Sequence, residues 1–212
     1  VFLQVRSRDD ALYKSKLVTF NQNVDENLDP LEYALILGNL LNIEIHAWIN
    51  TYLIWTSPNL PFDKEHILFK HPEWIDKTIR NSNLDNSIYL SSSHPEVNAY
   101  IYDIVEELIK EYPLLNGIHF DYIRQNDNNY GFNDDAINQF QKYHIFNPKN
   151  VIENYAELGL SKVETDSLMN LWNIFNQKNI TNLLKDIRNF INLSNSKILL
   201  SAAVKPNPFE AK

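Results

Sequence analysis

The stretch Gly117–Arg124 reads Gly-Ile-His-Phe-Asp-Tyr-Ile-Arg, a short apolar run that ends in an acid and leads into a polar, aromatic loop. Side chains of a strand alternate between two faces, so Phe120 would face one side of the sheet while His119 and Asp121 face the other. A carboxylate at the C-terminal end of a strand is a common position for a catalytic acid in α/β enzymes. The stretch therefore predicts a strand with Asp121 at its functional end.

Three further apolar stretches show the same alternation, and in each the polar residues collect toward the C-terminal end. Long segments separate the four stretches, and most of these segments have helical periodicity. Antiparallel neighbours need no such crossovers, so the pattern predicts parallel strand–helix units. The four predicted strands are Val1–Arg6, Ile43–Asn50, Asn116–Tyr122 and Lys197–Val204.

Helix signals fill the connections between the predicted strands. Asp29 is a good N-cap, Pro30 suits the first helical position, and the helix that they begin would end at Asn42. A second helix is expected in the segment His94–Tyr112, which has Pro95 near its start and is stopped by the proline that follows Tyr112. A third helix is expected over about 165–192, with the amide-rich stretch 176–179 as the place for any break.

Two architectures fit parallel strands with helical crossovers, an open doubly wound sheet and a closed barrel. An open sheet covered by helices on both sides needs apolar residues on both of its faces. Each of the four strands here has polar residues on one face, which favours an α/β fold of the (β/α)8 TIM-barrel type.

Composition excludes several classes of protein. With 212 residues, 44% of them hydrophobic, the chain should form a globular domain, and no apolar run approaches the length of a membrane span. It contains no cysteine, which excludes disulfides and thiolate chemistry. The formal charge of −8 argues against a general nucleic-acid binder and favours an uncharged ligand. The histidines lack metal-site spacing and the four glycines are dispersed, so neither a metal nor another cofactor is predicted.

Several short strings of the chain, in order and with similar spacing, resemble the glycosyl hydrolase-like 10 family of bacterial proteins. Each string is weak alone, and their common register makes the match specific. The strings are Leu3–Ala11 (LQVRSRDDA), Leu28–Leu31 (LDPL), His46–Asn50 (HAWIN), His71–Trp74 (HPEW), Gly117–Arg124 and Leu200–Val204 (LSAAV).

The resemblance implies a (β/α)8 barrel with glycosidase activity on a bacterial glycan, and some relatives act on the glycan strands of peptidoglycan. Against that family's pattern, residues 1–212 would be a single barrel domain truncated at both ends, which covers about strands 2 to 5. The resemblance also implies an extracytoplasmic or cell-envelope location, although no signal peptide is visible in the sequence. Many relatives have two acids after the Gly-Ile-His-Phe run, whereas here Asp121 is followed by Tyr122, so only the first acid matches.

Glycoside hydrolysis usually needs two carboxyl groups, one to protonate the leaving oxygen and one to attack the sugar or activate water. Asp121 is the predicted catalytic residue. The second carboxylate stays open among Asp10, Asp134, Asp135 and acids on later strands of the barrel. A non-catalytic carbohydrate-binding domain of barrel descent remains the alternative.

The polar and aromatic residues around Asp121 are the predicted contacts to an oligosaccharide or polysaccharide. Imidazole and amide groups could bind sugar hydroxyls, aromatic rings could stack on sugar rings, and Arg6 could orient Asp121 or bind an acidic substituent. The predicted substrate-binding residues are Arg6, His46, Trp48, Asn50, His119, Tyr122, Arg124 and Tyr130, with Tyr52 and Trp55 as further stacking candidates.

Overall fold

The computed structural model describes residues 1–80, 86–127, 129–194 and 196–205, and it has an α/β fold with a mostly parallel central sheet. In chain order the strands are β1 (Phe2–Arg6), β2 (Asp10–Ala11), β3 (Thr19–Phe20), β4 (His46–Asn50), β5 (Leu53–Trp55), β6 (Ile88–Tyr89), β7 (Gly117–Asp121) and β8 (Leu199–Ala202). The α-helices are α1 (Pro30–Leu41), α2 (Ile67–Lys70), α3 (Val97–Glu111), α4 (Asp134–Gln141), α5 (Pro148–Asn154) and α6 (Lys162–Leu193), and a 3₁₀ turn spans Pro72–Trp74.

The central sheet has the strand order β3-β2-β1-β4-β7-β8. The four strands expected from the sequence, β1, β4, β7 and β8, pair in parallel as predicted, and each is shorter than its predicted range. The short β2 runs antiparallel to β1, and β5 with β6 forms a separate antiparallel pair. Over the ranges given above the central sheet is open, with β3 and β8 as its edges.

Helix α1 begins and ends where the sequence predicts. The Asp29 side chain accepts a hydrogen bond from the backbone N–H of Glu32 (3.0 Å), and Pro30 occupies the first helical position. Asn42 ends the helix in the left-handed conformation, with φ of 56°. These local signals fix the loop that returns the chain to β4.

Helix α6 is continuous over 32 residues, so the break anticipated near 176–179 does not occur. The amides there have tertiary partners, because Ser93 Oγ donates to Asn176 Oδ1 (2.6 Å) and accepts from Asn179 Nδ2 (3.0 Å). A capping box of Ser161 and Glu164 starts the helix. The polar residues therefore attach α6 to its neighbours instead of interrupting it.

One face of the parallel strands is buried in the main hydrophobic core. Ile49, Ile118 and Phe120 are at most 1% exposed and belong to one cluster with the apolar sides of α1, α3 and α6. The opposite face bears the polar residues, as the alternation predicts. In the described ranges no helix is long and apolar enough to cross a membrane.

Candidate functional site

A polar cavity of about 480 Å³ opens at the C-terminal ends of the parallel strands. Its wall is formed by the end of β1 with the following loop and β2, the segment after β3, the end of β4, β5 with the residue that follows it, and the end of β7. Of the residues predicted to form the site, Trp48, Asn50, Asp121 and Tyr122 line this cavity. The sequence pattern therefore brings together side chains that are up to 74 positions apart in the chain (122 − 48).

Asp121 is the last residue of β7 and pairs across the sheet with Asn50, the last residue of β4. Its carbonyl oxygen accepts a hydrogen bond from the backbone N–H of Thr51 (2.7 Å), which holds the two strand ends together. The carboxylate is partly buried, and Oδ1 accepts from the backbone N–H of Tyr122 (2.8 Å). Over the described stretches of chain it forms no ion pair.

Tyr122 turns the chain sharply directly after the acid. Its φ of 52° lies in the left-handed region, which non-glycine residues enter at a cost of about 1–3 kcal/mol. The ring lies near Tyr89 (6.4 Å between centroids), and the guanidinium of Arg124 lies 5.1 Å from the ring centroid. Strand β7 thus ends directly before a residue with a strained backbone, and both Asp121 and Tyr122 line the cavity.

A second acid, Asp10 on β2, lines the same cavity. Its Oδ1 accepts from Ser7 Oγ (2.8 Å) and its Oδ2 accepts from Asn21 Nδ2 (2.7 Å). The other acids considered from the sequence lie elsewhere. Asp134 and Asp135 occupy the first turn of α4, where the former pairs with Lys77 and the latter with His94 (3.4 Å).

His119 stands in a row of side chains that crosses the sheet, and two other members of this row, Gln4 and Trp48, line the cavity. The backbone pairing aligns Gln4 with Trp48, Trp48 with His119, and His119 with Ser201. His119 Nδ1 is hydrogen-bonded to Ser201 Oγ (2.9 Å), and its ring lies 6.1 Å from that of Trp48. The predicted common face for these residues is therefore correct, and His119 lies one row away from Asp121.

Arg6 does not contact Asp121, so it does not orient this acid, which was one of the two roles suggested for it. It is fully buried, its Nε donates to Asp9 Oδ1 (3.1 Å), and its Nη1 donates to the carbonyl oxygens of Asn50 and Thr51. This guanidinium is enclosed and cannot bind a sugar substituent. Its role is to join the C-terminal ends of β1 and β4.

Three other predicted contacts, Arg124, His46 and Tyr130, do not line the cavity, although Arg124 lies against the ring of Tyr122, which does. His46 is at the opposite end of β4 from Asn50, four residues or about 13 Å away along the strand, and its ring covers Gly117, where a Cβ would overlap it. Tyr130 is 5% exposed and packs against Tyr89 (5.4 Å between centroids), so its face is not open to a sugar.

The stacking candidates Tyr52 and Trp55 differ in exposure. Tyr52 is 1% exposed and donates its hydroxyl to Asn98 Oδ1 (2.9 Å), which identifies it as a core residue. Trp55 is partly exposed, and the guanidinium of Arg8 lies over its ring (5.6 Å to the centroid). Arg8 lines the cavity and was missed in the sequence, although it lies only two residues before Asp10 in the loop after β1.

No cluster of three or more histidine and acidic side chains suited to a metal ion occurs within residues 1–80, 86–127, 129–194 and 196–205. Apart from the apolar side chain of Leu53, the groups that line the cavity are carboxylates, amides, hydroxyls, one guanidinium and one indole. Such groups can bind sugar hydroxyls and transfer protons.

Two curated proteins that match this chain are both named as glycosyl hydrolases. The chain is 29% identical to Glycosyl hydrolase YngK of Bacillus subtilis (strain 168) over 130 residues, which are 57% of this chain and 24% of the relative. It is 29% identical to Glycosyl hydrolase DigH of Escherichia coli (strain K12) over 137 residues, 57% of this chain and 30% of that relative. The match thus spans about a quarter to a third of the length of these curated relatives.

Among solved structures, the GH36 alpha-galactosidase AgaA from Geobacillus stearothermophilus aligns with 98% of this chain and 22% of its own, with a TM-score of 0.49 and 16% sequence identity. A sequence profile of the Glycosyl hydrolase-like 10 family matches residues 1–211, which is nearly the whole chain. The resemblance noted in the short sequence strings is therefore confirmed, and the chain belongs to the Glycosyl hydrolase-like 10 family.

Proposed function

We propose that this chain forms part of the (β/α)8 barrel of a glycoside hydrolase, with Asp121 as a catalytic carboxylate. The observation that supports this most directly is the position of Asp121, an acid without an ion-pair partner in the described ranges, at a strand end in a polar cavity. Family membership and the names of the relatives support the same reaction class.

In this proposal Asp121 acts either as the nucleophile or in acid–base catalysis. Hydrolysis needs a second carboxyl group across the cleft, and Asp10 is the first partner to test because it lines the same cavity. Trp48 and Tyr122 would contact the sugar ring, and Asn50 would fix the strand end beside the acid. Residues 1–212 would then belong to a single barrel domain.

The substrate class follows from the family resemblance, which suggests a bacterial glycan and, first, peptidoglycan-derived strands in the cell envelope. The test is to incubate the full-length protein with these and other bacterial glycans and to measure new reducing ends. We expect Asp121→Asn to lower the rate about 100- to 10,000-fold, the range that proton transfer by a positioned side chain contributes.

Asp134→Asn is the matched control, since it removes an exposed acid that pairs with Lys77 outside the cavity. It should leave the rate near that of the wild type, whereas Asp10→Asn tests the second carboxylate. Equal product from the wild type and Asp121→Asn would eliminate Asp121 as the catalytic group. Binding of glycan without product from the wild type would favour the carbohydrate-binding alternative.

A further inference from the structure

The wall of the cavity that holds Asp121 includes one cationic side chain among the described residues, that of Arg8. Arg8 is exposed and lies in the loop between β1 and β2. Two carboxylates, Asp10 and Asp121, line the same space. The cavity wall therefore contains one exposed positive group together with the two acids considered for the proposed reaction.

The surroundings of Arg8 restrict where its guanidinium can go. The backbone N–H of Arg8 donates to Asp10 Oδ1 (3.1 Å), and its carbonyl oxygen is hydrogen-bonded to His66 Nε2 (2.6 Å). The guanidinium carbon lies 5.6 Å from the centre of the Trp55 ring, a distance at which a cation is attracted to the face of an aromatic ring. Arg8 is thus held at its backbone and supported at its tip.

Trp55 is itself held in place. Its indole N–H donates to the carbonyl oxygen of Asn59 (2.7 Å), and its ring meets that of His66 edge to face at 5.3 Å. A fixed ring under the guanidinium lowers the entropy that Arg8 would lose when it binds a ligand.

Among the described residues the Arg8 guanidinium donates no hydrogen bond. In the part of the chain that the structure describes, Arg8 forms no ion pair, whereas the neighbouring Arg6 is enclosed and committed to Asp9. A guanidinium presents a planar fork of N–H groups that matches the two oxygens of a carboxylate. An exposed, supported and unpaired arginine beside a sugar-sized cavity is suited to an anionic ligand group.

The net charge of −8 favours an uncharged ligand for the chain as a whole, but Arg8 makes the cavity wall locally cationic. We propose that Arg8 binds a carboxylate substituent of the glycan, so that the site prefers an acidic sugar chain to a neutral one. This inference rests on the proposed function, because it assumes that a glycan occupies the cavity. Asp10 and Asp121 would repel an anion placed beside them, so the substituent belongs at the Arg8 side of the cavity. The preference would come from this one residue.

The experiment compares two forms of one ligand: peptidoglycan glycan strands freed of their peptides, and the same strands with their carboxylates converted to amides. Binding is measured by calorimetry with the full-length protein in the Asp121→Asn background, so that the ligand is not consumed. We expect the carboxylated strands to bind about tenfold more tightly than the amidated ones, the effect of one hydrogen-bonded charged group. Added salt should reduce this ratio.

Variants of Arg8 test whether the ratio of affinities for carboxylated and amidated strands depends on this side chain. Arg8→Gln should bring the ratio of affinities close to one, and Arg8→Lys should keep part of it, because lysine retains the charge and loses the planar fork. Arg188→Gln removes an exposed arginine of α6 and is the matched control, which should keep the full ratio. Thermal melting of each variant checks that folding is intact.

Three results would overturn the inference: equal binding of both strands by the parent protein, no binding of either, or an unchanged ratio in a folded Arg8→Gln variant. The proposed function fails separately. If no reducing ends form but the Arg8-dependent ratio persists, the chain binds acidic glycan without cleaving it. If Asp121-dependent hydrolysis proceeds equally on carboxylated and amidated strands, the result supports the glycosidase proposal and contradicts the proposed role of Arg8.

Discussion

Asn50 and Asp121 are direct partners on two neighbouring parallel strands, and each is the last residue of its strand. Asn50 is 5% exposed, and its Nδ2 donates to the carbonyl oxygen of Ser7 (2.7 Å) while its Oδ1 accepts from Gln4 Nε2 (3.3 Å). One amide side chain thus connects the end of β1 to the strand end that lies beside the candidate catalytic acid.

Replacing Asn50 with alanine should therefore affect both stability and activity. The Ser7 carbonyl would lose its partner in a partly buried position, which costs about 1–3 kcal/mol of unfolding free energy. Displacement of the strand end should also lower glycan hydrolysis about tenfold or more. Urea unfolding and reducing-end assays measure the two effects. Gln4→Ala is the control with the smaller expected change, and wild-type stability of Asn50→Ala would contradict the assigned role.

The buried pair of Arg6 and Asp9 should be important for folding. Arg6→Met removes the cation and leaves the Asp9 carboxylate buried, with the Tyr100 hydroxyl (2.8 Å) as a remaining donor. The expected loss of unfolding free energy is about 3–5 kcal/mol. The exposed Arg188→Met should change stability by less than about 0.5 kcal/mol. In urea unfolding, adding Asp9→Asn to Arg6→Met should recover part of the loss, and a further loss would contradict this account.

Asp76 should make stability depend on pH. Burial raises the pKa of this carboxyl from 3.8 to about 7. Hydrogen bonds from the backbone N–H groups of Lys77 and Gly131 lower the pKa, but by less than burial raises it. Between about pH 4 and 7 the folded chain holds a proton that the unfolded chain has released, so this contribution to stability falls as pH rises, by up to about 4 kcal/mol in total.

Asp76→Asn cannot ionise, and it should remove this part of the pH dependence. The measurement is the unfolding free energy of the variant minus that of the wild type at several pH values, which should increase from about pH 4 to 7. Asp134→Asn, at an exposed position, should show a much smaller trend. A flat difference for Asp76→Asn would mean that this carboxyl titrates normally in the folded state.

Gly131 and Gly159 offer a matched pair for testing a local backbone requirement. Both have positive φ, 101° and 68°, but a Cβ at Gly131 would overlap the Gln125 side chain, whereas one at Gly159 would meet nothing within 4 Å. Gly159→Ala should cost about 1 kcal/mol, and Gly131→Ala at least about 1 kcal/mol more. Denaturant midpoints compare the two variants. Equal midpoints would show that the Gln125 side chain moves aside without a measurable loss of stability.

The parallel strands and the first helix could be predicted because their signals are local. Alternation places Phe120 in the core, and Asp29 with Pro30 defines a helix start wherever the helix packs. The same alternation indicated that Trp48 and Asp121 face the cavity. The spacing of apolar residues therefore predicts which face of a strand or helix a side chain occupies, and the capping residues predict where a helix begins.

The sequence prediction failed where the regular alternation stops. A register shift between Gln4 and Arg6 sets Arg6 opposite Ile49 instead of Asn50, and the guanidinium turns into the interior. A bulge of this kind leaves no mark in the hydrophobic pattern. Arg8 follows in the loop after the strand, where alternation has no meaning, so its place in the cavity depends on the stacking partner Trp55, 47 residues further along the chain (55 − 8).

The left-handed backbone directly after Asp121 also limits how this position can change as the sequence diverges. Asparagine, aspartate and glycine enter this conformation more readily than tyrosine, and the β-branched valine and isoleucine are strongly disfavoured there. Substitutions at Tyr122 are thus filtered first by backbone geometry and only then by any contact with a ligand. In homologues that have an acid at the position of Asp121, we expect only a few types of amino acid at the position of Tyr122.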